Sequence, residues 1–371
     1  MPLHADRPPI PPLTSLRFFA AAIVVAYHYE PERFTRVPEF LRSWLETGYE
    51  AVTFFFMLSG FVLAYVYHPT GPGPAITSLR AFFIARFGRL FPAYYVSLLL
   101  ALPFFVVPGF FQEGETPSPH IVSDALLVLT GLQTWWPPAA LAWNPPGWSV
   151  SVEWFMYGTF PVILWATRNV SAGKLLVGSF AIVVVVALFR VNVMKPLVEE
   201  DAQTWYHFAE FFPLFHLPQF VFGMALGRAH LEGTRLPPAT AAWLFAAGVA
   251  GLMILFVDLH SLPSRMRSNA LLVTFFAMMI VGAANPGHFA YRVLSAPALL
   301  YLGDISYSIY AVHQPLEFWW EWTGPLAFDV RMPASVDFMI FFVIVLVAAA
   351  LCYRFVEMPL RRRIRRWGGV T

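Results

Sequence analysis

Apolar residues along this chain gather into runs separated by short segments rich in proline, glycine and charge. A helix crossing the hydrocarbon core of a bilayer needs roughly 20 mostly apolar residues. Ten segments meet that need: 13–30, 49–67, 82–107, 149–167, 173–190, 208–229, 239–258, 269–284, 296–320 and 336–356. An eleventh apolar stretch, 121–136, is short and ends in Trp135-Trp136-Pro137-Pro138. Loop charge decides its status, because cytoplasmic loops collect Lys and Arg. With 121–136 non-spanning and the N-terminus inside, fifteen Lys and Arg fall on the inner side, eight on the outer side, and Arg17 stays in the membrane. The outer set includes Arg33, Arg36, Arg265, Arg267 and Arg331. If 121–136 spanned, every later loop would invert and the arginine cluster from Arg361 to Arg366 would lie outside. The pattern predicts an all-α polytopic membrane protein of ten transmembrane helices. Segment 121–136 is re-entrant or interfacial, and both termini are cytoplasmic. The expected organisation is a tail at 1–12, one membrane domain at 13–357 and a basic tail at 358–371.

Composition agrees. Of 371 residues, 58% are hydrophobic and 12% charged, against about a quarter charged in soluble domains. A net charge of +2 gives no argument for nucleic acid. The single cysteine, Cys352, excludes an intrachain disulfide and a thiolate metal cluster.

Ionisable groups within the spans are therefore the candidates for chemistry, because burying them in a membrane is costly. Arg17 and His28 are eleven residues apart on the first helix. They fall within roughly 20° of one face and about 16 Å apart along the axis. The plainer alternative has Arg17 reaching headgroups and His28 at the interface. Arg86 and Arg89 share a face of the third helix at the cytoplasmic surface and suit a phosphate; on this feature alone, positive-inside anchoring is the simpler explanation. Ser149 and Glu153 lie one turn apart beyond Pro145-Pro146-Gly147, with Trp148 offering an apolar face to a sugar ring. Glu153 could orient a histidine or accept a proton, whereas Ser149 could simply cap its helix. Ser306, Tyr310 and His313 form a polar stripe at i, i+4, i+7 spacing. Ser59-Gly60 permits close helix packing. His207, His216, His230 and His260 sit near span ends, His216 being the best placed to line a cavity. No histidine pairs at i, i+4 with a carboxylate as zinc sites do, so no metal is expected.

Taken together, these residues resemble the acyltransferase-3 family of integral membrane acyltransferases. A basic residue, ten residues and a histidine are matched by Arg17 and His28, and Phe-Phe-x-x-Ser-Gly-Phe by Phe55 to Phe61. Arg-x-x-Arg-x-x-Pro is matched by Arg86, Arg89 and Pro92, and Trp-Ser-x-x-x-Glu by Trp148, Ser149 and Glu153. Ser-Tyr-Ser-x-Tyr-x-x-His runs from Ser306 to His313, and the ending Tyr353-Arg-Phe-Val-Glu357-Met-Pro359 is typical. One departure is Gln219, where many relatives carry glutamate.

The resemblance implies a stand-alone member, without the esterase-like domain that many relatives add, in the bacterial inner (cytoplasmic) membrane. It would transfer an acyl group, commonly acetyl, from cytosolic acyl-CoA to a hydroxyl of a surface polysaccharide, lipid-linked sugar or related glycoside. The implied partners are acyl-CoA, a carbohydrate or glycolipid acceptor and membrane lipids, with a homo-oligomer left open. Arg17, Arg86 and Arg89 would meet the CoA phosphates. His28, with an ordinary pKa of about 6.5, would act as general base or carry the acyl group itself. Glu153 or His313 would orient it. Trp148, Ser149, Ser59 and Tyr310 would face the acceptor. A transporter or flippase of a sugar-lipid or anion would suit the same spans and charges, although no paired halves are evident. A structural scaffold is a third reading.

Overall fold

The computed structural model describes residues 7–29, 38–69, 76, 78–107, 120–233, 235–257, 269–327 and 333–369. The first half of the N-terminal tail, the loop arginines Arg33, Arg36, Arg265, Arg267 and Arg331, and His260 lie outside the described residues.

Among the described residues the chain is helical, with no strand. It begins with α1 (Pro11–His28), α2 (Glu39–Glu46), α3 (Ala51–Tyr67), α4 (Leu79–Val106), α5 (Ile121–Thr130) and α6 (Gly147–Ala166). There follow α7 (Ala172–Phe189), α8 (Lys195–Glu200), α9 (Ala202–Phe211), α10 (Leu217–Leu231), α11 (Pro238–Val257) and α12 (Asn269–Ala284). The series closes with α13 (Phe289–Leu294), α14 (Pro297–Asp304), α15 (Ser306–Ala327), α16 (Ala334–Cys352) and α17 (Met358–Trp367). Local chemistry sets several ends. Prolines open α1, where a missing N–H costs nothing. Ser78 accepts from the Ala81 N–H at 3.2 Å to cap α4, and Gly131 (φ +70°) stops α5.

Five helical stretches among the described residues are long and apolar enough to cross a membrane: Gly48–Tyr67, Leu79–Val106, Ala172–Glu200, Pro238–Phe256 and Ala334–Trp367. Each overlaps one of the ten expected segments, and the chain is a membrane protein. α3 is central, with 61% of its apolar window buried, and α16 is peripheral at 22%. The outward faces carry Val177, Trp243, Ile254 and Val343, which suits contact with lipid.

Two expected spans are not single helices. Segment 208–229 breaks between α9 and α10, where Pro213 opens a 3-10 turn and Pro218 sits at the start of α10. Gln219 closes this break: its amide nitrogen donates to the His216 and Phe215 carbonyls at 2.8 and 3.2 Å. A carboxylate has no proton to give there. Segment 296–320 turns at Ile305 between α14 and α15. Segment 121–136 contains only the ten residues of α5 before two 3-10 turns. At 1.5 Å per residue α5 reaches about 15 Å, half a bilayer core. The chain then returns to pin the start of α6. Gln133 donates to the Tyr94 hydroxyl (3.2 Å) and the Gly147 carbonyl (2.9 Å), and the Thr134 and Ser151 hydroxyls lie 2.7 Å apart.

α3 and α10 approach at backbone distance. A Cβ on Gly60 would sit 2.0 Å from the Phe220 carbonyl oxygen, and one on Gly223 would sit 2.0 Å from that of Met57. The packing expected of Ser59-Gly60 is thus reciprocal across two helices. Gly223→Ala should force them apart, at a cost of about 1–3 kcal/mol or more, and lower thermal stability in detergent. Gly178→Ala, where a Cβ meets nothing within 4 Å, should not. Equal melting of both variants would refute the close approach.

Candidate active site

Two cavities lie inside the bundle and share Val52 and Tyr310 in their walls. The smaller, about 130 Å³, is lined by Arg17, Ser59, Arg86, Arg89, Ser149, Glu153, Tyr157 and Ser306 among others. The larger, about 690 Å³, is lined by Tyr27, His28, Tyr49, Glu50, Trp148, Arg190, Tyr206, Glu210 and His216 among others. α1 runs unbroken past both sites and lines each, with Arg17 in the first and Tyr27 and His28 in the second.

The arginine cavity is built from α1, α3, α4, α6 and α15. Arg89 sits ten residues into α4, about 15 Å from its start. It pairs with Glu357, which is fully buried in the π-turn 353–357 and also accepts from the Ser308 hydroxyl at 2.8 Å. Its guanidinium lies 4.9 Å from the centre of the Tyr307 ring. Arg86 packs against the rings of Tyr157, Tyr67 and Phe82 at 5.7–5.9 Å. The Arg86 Nε is buried without a hydrogen-bond partner among the described residues. Arg17 has no hydrogen bond or ion pair to a described residue; its electrostatic neighbours are Arg89, Glu153, Glu357 and Tyr157. Three guanidiniums therefore face a small cavity in which, among the described residues, Glu153 and Glu357 are the carboxylates that balance them, a setting that favours an anion.

Glu153 belongs to this group and not to the histidines. It accepts from Ser59 Oγ at 3.0 Å and from the Tyr157 hydroxyl one turn further along α6. Ser149 does not cap its helix with its side chain. The hydroxyls of Ser149 and Tyr310 lie 2.6 Å apart, so one donates to the other, and both lie within hydrogen-bond distance of the Pro146 carbonyl oxygen, at 3.0 and 3.1 Å. This cluster stands at the join of the two cavities.

At the other side of the join, His28 and His313 meet. His28 Nδ1 lies 2.9 Å from the Val24 carbonyl oxygen and 3.3 Å from His313 Nε2. A carbonyl oxygen only accepts, so His28 Nδ1 carries the proton. His313 Nδ1 lies 2.7 Å from the Tyr310 carbonyl oxygen and is protonated for the same reason. His313 Nε2 is then an acceptor aimed at His28, and His28 Nε2 holds a lone pair. That nitrogen has no partner among the described residues and its side chain lines the larger cavity. His313 itself is fully buried.

The larger cavity is partly aromatic and partly charged. Trp148 packs between Phe56, Phe211 and His216 at centroid distances of 5.1–6.0 Å. Arg190 pairs with Glu210 at 2.6 Å, and His216 Nε2 donates to the Glu210 carbonyl at 2.8 Å. Glu50, Glu210 and Arg190 were not singled out from sequence. The signal for Glu210 was present, a carboxylate inside an expected span; Glu50 abuts the charge-free run 51–67. Among the described residues no three His, Cys, Asp or Glu side chains gather to hold a metal.

Comparison with known proteins follows the same residues. The sequence is 29% identical over 320 residues to Acyltransferase MdmB of Streptomyces mycarofaciens, covering 82% of this chain and 78% of that protein. It is 24% identical over 374 residues to the Putative peptidoglycan O-acetyltransferase YrhL of Bacillus subtilis, covering 95% and 55%. It is 23% identical over 377 residues to the Peptidoglycan O-acetyltransferase OatA of Listeria monocytogenes, covering 96% and 56%. The chain thus spans little more than half the length of the latter two. No solved structure matches. The acyltransferase-domain profile of the acyltransferase-3 family matches residues 12–354, which contain both cavities and the histidine pair, and the chain belongs to that family of acyltransferases.

Proposed function

We propose that this protein moves an acyl group, acetyl foremost, from acyl-CoA to a hydroxyl of a carbohydrate or glycolipid acceptor. It would act in the bacterial inner membrane, as one domain crossing ten times with both ends cytoplasmic. The donor approaches through the arginine cavity and the acceptor occupies the larger one. The observation that carries this reading is His28: Nδ1 is held as a donor by Val24 and His313, leaving Nε2 basic and open to the larger cavity.

In the proposed step His28 Nε2 takes the proton of the acceptor hydroxyl as its oxygen attacks the thioester carbon. The tetrahedral adduct collapses, the C–S bond breaks, and the CoA thiolate takes that proton back from His28. An ester and free CoA result. The imidazolium formed in between keeps its Nδ1–H against His313 Nε2 and the Val24 carbonyl, which strengthens both bonds. Arg17 and Arg86 favour the anionic donor; Trp148 supplies a face for the acceptor ring; Ser149 and Tyr310 meet both substrates at the join. Ser59 acts through Glu153, which sets Tyr157.

Two names among the relatives specify peptidoglycan O-acetylation, which supports acetyl and a carbohydrate hydroxyl as the first pair to test. The experiment is incorporation of label from acetyl-CoA into surface glycans by the purified, reconstituted protein. No transfer to any glycan hydroxyl, together with no binding of CoA, would overturn the reading. His313→Ala should lower the rate by about tenfold rather than abolish it, because the Val24 carbonyl still holds Nδ1–H. A general-base role for His28 is worth about 10²–10⁴ in all. A His313→Ala rate as low as that of a His28 variant would instead place His313 in the chemistry directly.

A further inference from the structure

The arginine cavity is too small for the donor that the proposed function gives it. Its volume of about 130 Å³ holds about four waters at ~30 Å³ each, whereas sites that enclose drug-sized ligands run to ~300–1,000 Å³. Only the thioester end of an acyl-CoA fits within. The nucleotide, with most of the negative charge, must rest on whatever borders the cavity.

α17 packs against α4, the helix that carries Arg86 and Arg89 into the cavity wall. After the π-turn that carries Glu357, the chain continues antiparallel along the start of α4. Gly88, between Arg86 and Arg89, lies against α17: a Cβ there would make ordinary contact, 3.6 Å from Arg361 Cα and 3.4 Å from Ile364 Cγ2. One turn on, Gly368 abuts Ile84. Arg361 thereby comes within electrostatic reach of Arg86 and Arg89, and Arg365 follows one turn later on the same face. Both are half-buried, while Arg362, Arg363 and Arg366 are exposed. None of these five arginines has a carboxylate partner among the described residues. The nearest carboxylate, Glu357, is already taken by Arg89 and Ser308. Guanidiniums gathered without counter-ions repel one another, and a bound polyanion removes that penalty while using their fork geometry.

We propose that Arg361 and Arg365 hold the nucleotide phosphates of the acyl-CoA donor outside the arginine cavity, so that α17 is part of the donor site. This rests on the acyl-CoA reading above. It divides the work by distance: Arg17 and Arg86 address the part of the donor that enters, and α17 addresses the part that stays out. The exposed arginines of α17 face away from α4 and are free for lipid headgroups.

The test compares the Arg361→Gln/Arg365→Gln variant with wild type, each reconstituted in phosphatidylcholine alone. The donors are acetyl-CoA and S-acetylpantetheine, which lacks the nucleotide and every phosphate. The variant should show a KM for acetyl-CoA raised about tenfold or more, the loss expected for a charged hydrogen bond. The truncated donor should give the same KM with both proteins, which also shows that the variant is folded. An unchanged KM for acetyl-CoA would overturn the inference while leaving the donor reading intact. So would an equal rise for both donors, or a defect that appears only when anionic lipid is added, which would assign the arginines to headgroups. Wild-type protein that transfers from neither donor would overturn the acyl-CoA reading itself.

Discussion

His28→Ala is expected to lower acyl transfer by about 10²–10⁴-fold at an unchanged level of protein in the membrane. Neighbouring histidines cannot substitute. His313 is fully buried behind it, and the Nε2 of His216 is committed to the Glu210 carbonyl. His28→Asn sharpens the test. An asparagine amide can still donate to the Val24 carbonyl as Nδ1 does, but it has no basic nitrogen in the place of Nε2. Both variants should therefore fail alike in labelled transfer from acetyl-CoA. Should His28→Asn retain a third or more of the wild-type rate, the ring would be a positioning element and the base would have to be sought at Glu50 or Glu210.

Glu357→Ala should cost the fold about 3–5 kcal/mol, the usual consequence of stripping a buried ion of its partner. Arg89 would then face Arg17 and Arg86 with Glu153 as the remaining carboxylate of the cavity. The protein should melt well below wild type in detergent and accumulate poorly. Replacing both partners, Arg89→Met with Glu357→Leu, should restore most of the stability, because a packed apolar pair avoids the desolvation that the ion pair must overcome. It should not restore transfer, since Arg89 lines the cavity proposed to take the donor. A single Glu357→Ala variant as stable as wild type would mean that water or another group reaches Arg89.

The sequence made some of this geometry legible and hid the rest for a definite reason. Helical period places Arg17 and His28 on one face, and an unbroken α1 delivers them to neighbouring cavities. The same period links Tyr310 to His313, and His313 does meet His28. Period says nothing about which neighbour a face will meet. The place of Glu153 near the start of its helix allows it to orient a histidine; it lies with Ser59, Tyr157 and the arginines instead. Glu357 was recognised only as part of a closing motif. Its partner Arg89 is 268 residues away, and no local pattern records such a pair. Pro213 and Pro218 were visible signs that segment 208–229 must break, but an apolar run conceals a turn when composition alone is weighed.

α1 has a further consequence. Because one rigid helix carries both the cation and the base, their separation is a fixed length set by eleven residues of rise, about 16 Å. In the proposed reaction the stretch from Phe18 to Tyr27 would be the ruler against which the carrier arm of the donor is measured. Exchanging residues within it alters packing, but inserting or deleting one would swing His28 by about 100° away from His313 and its cavity. The number of residues in that stretch is thus as constrained as the packing of Ala21, Val24 and Val25, which are fully buried.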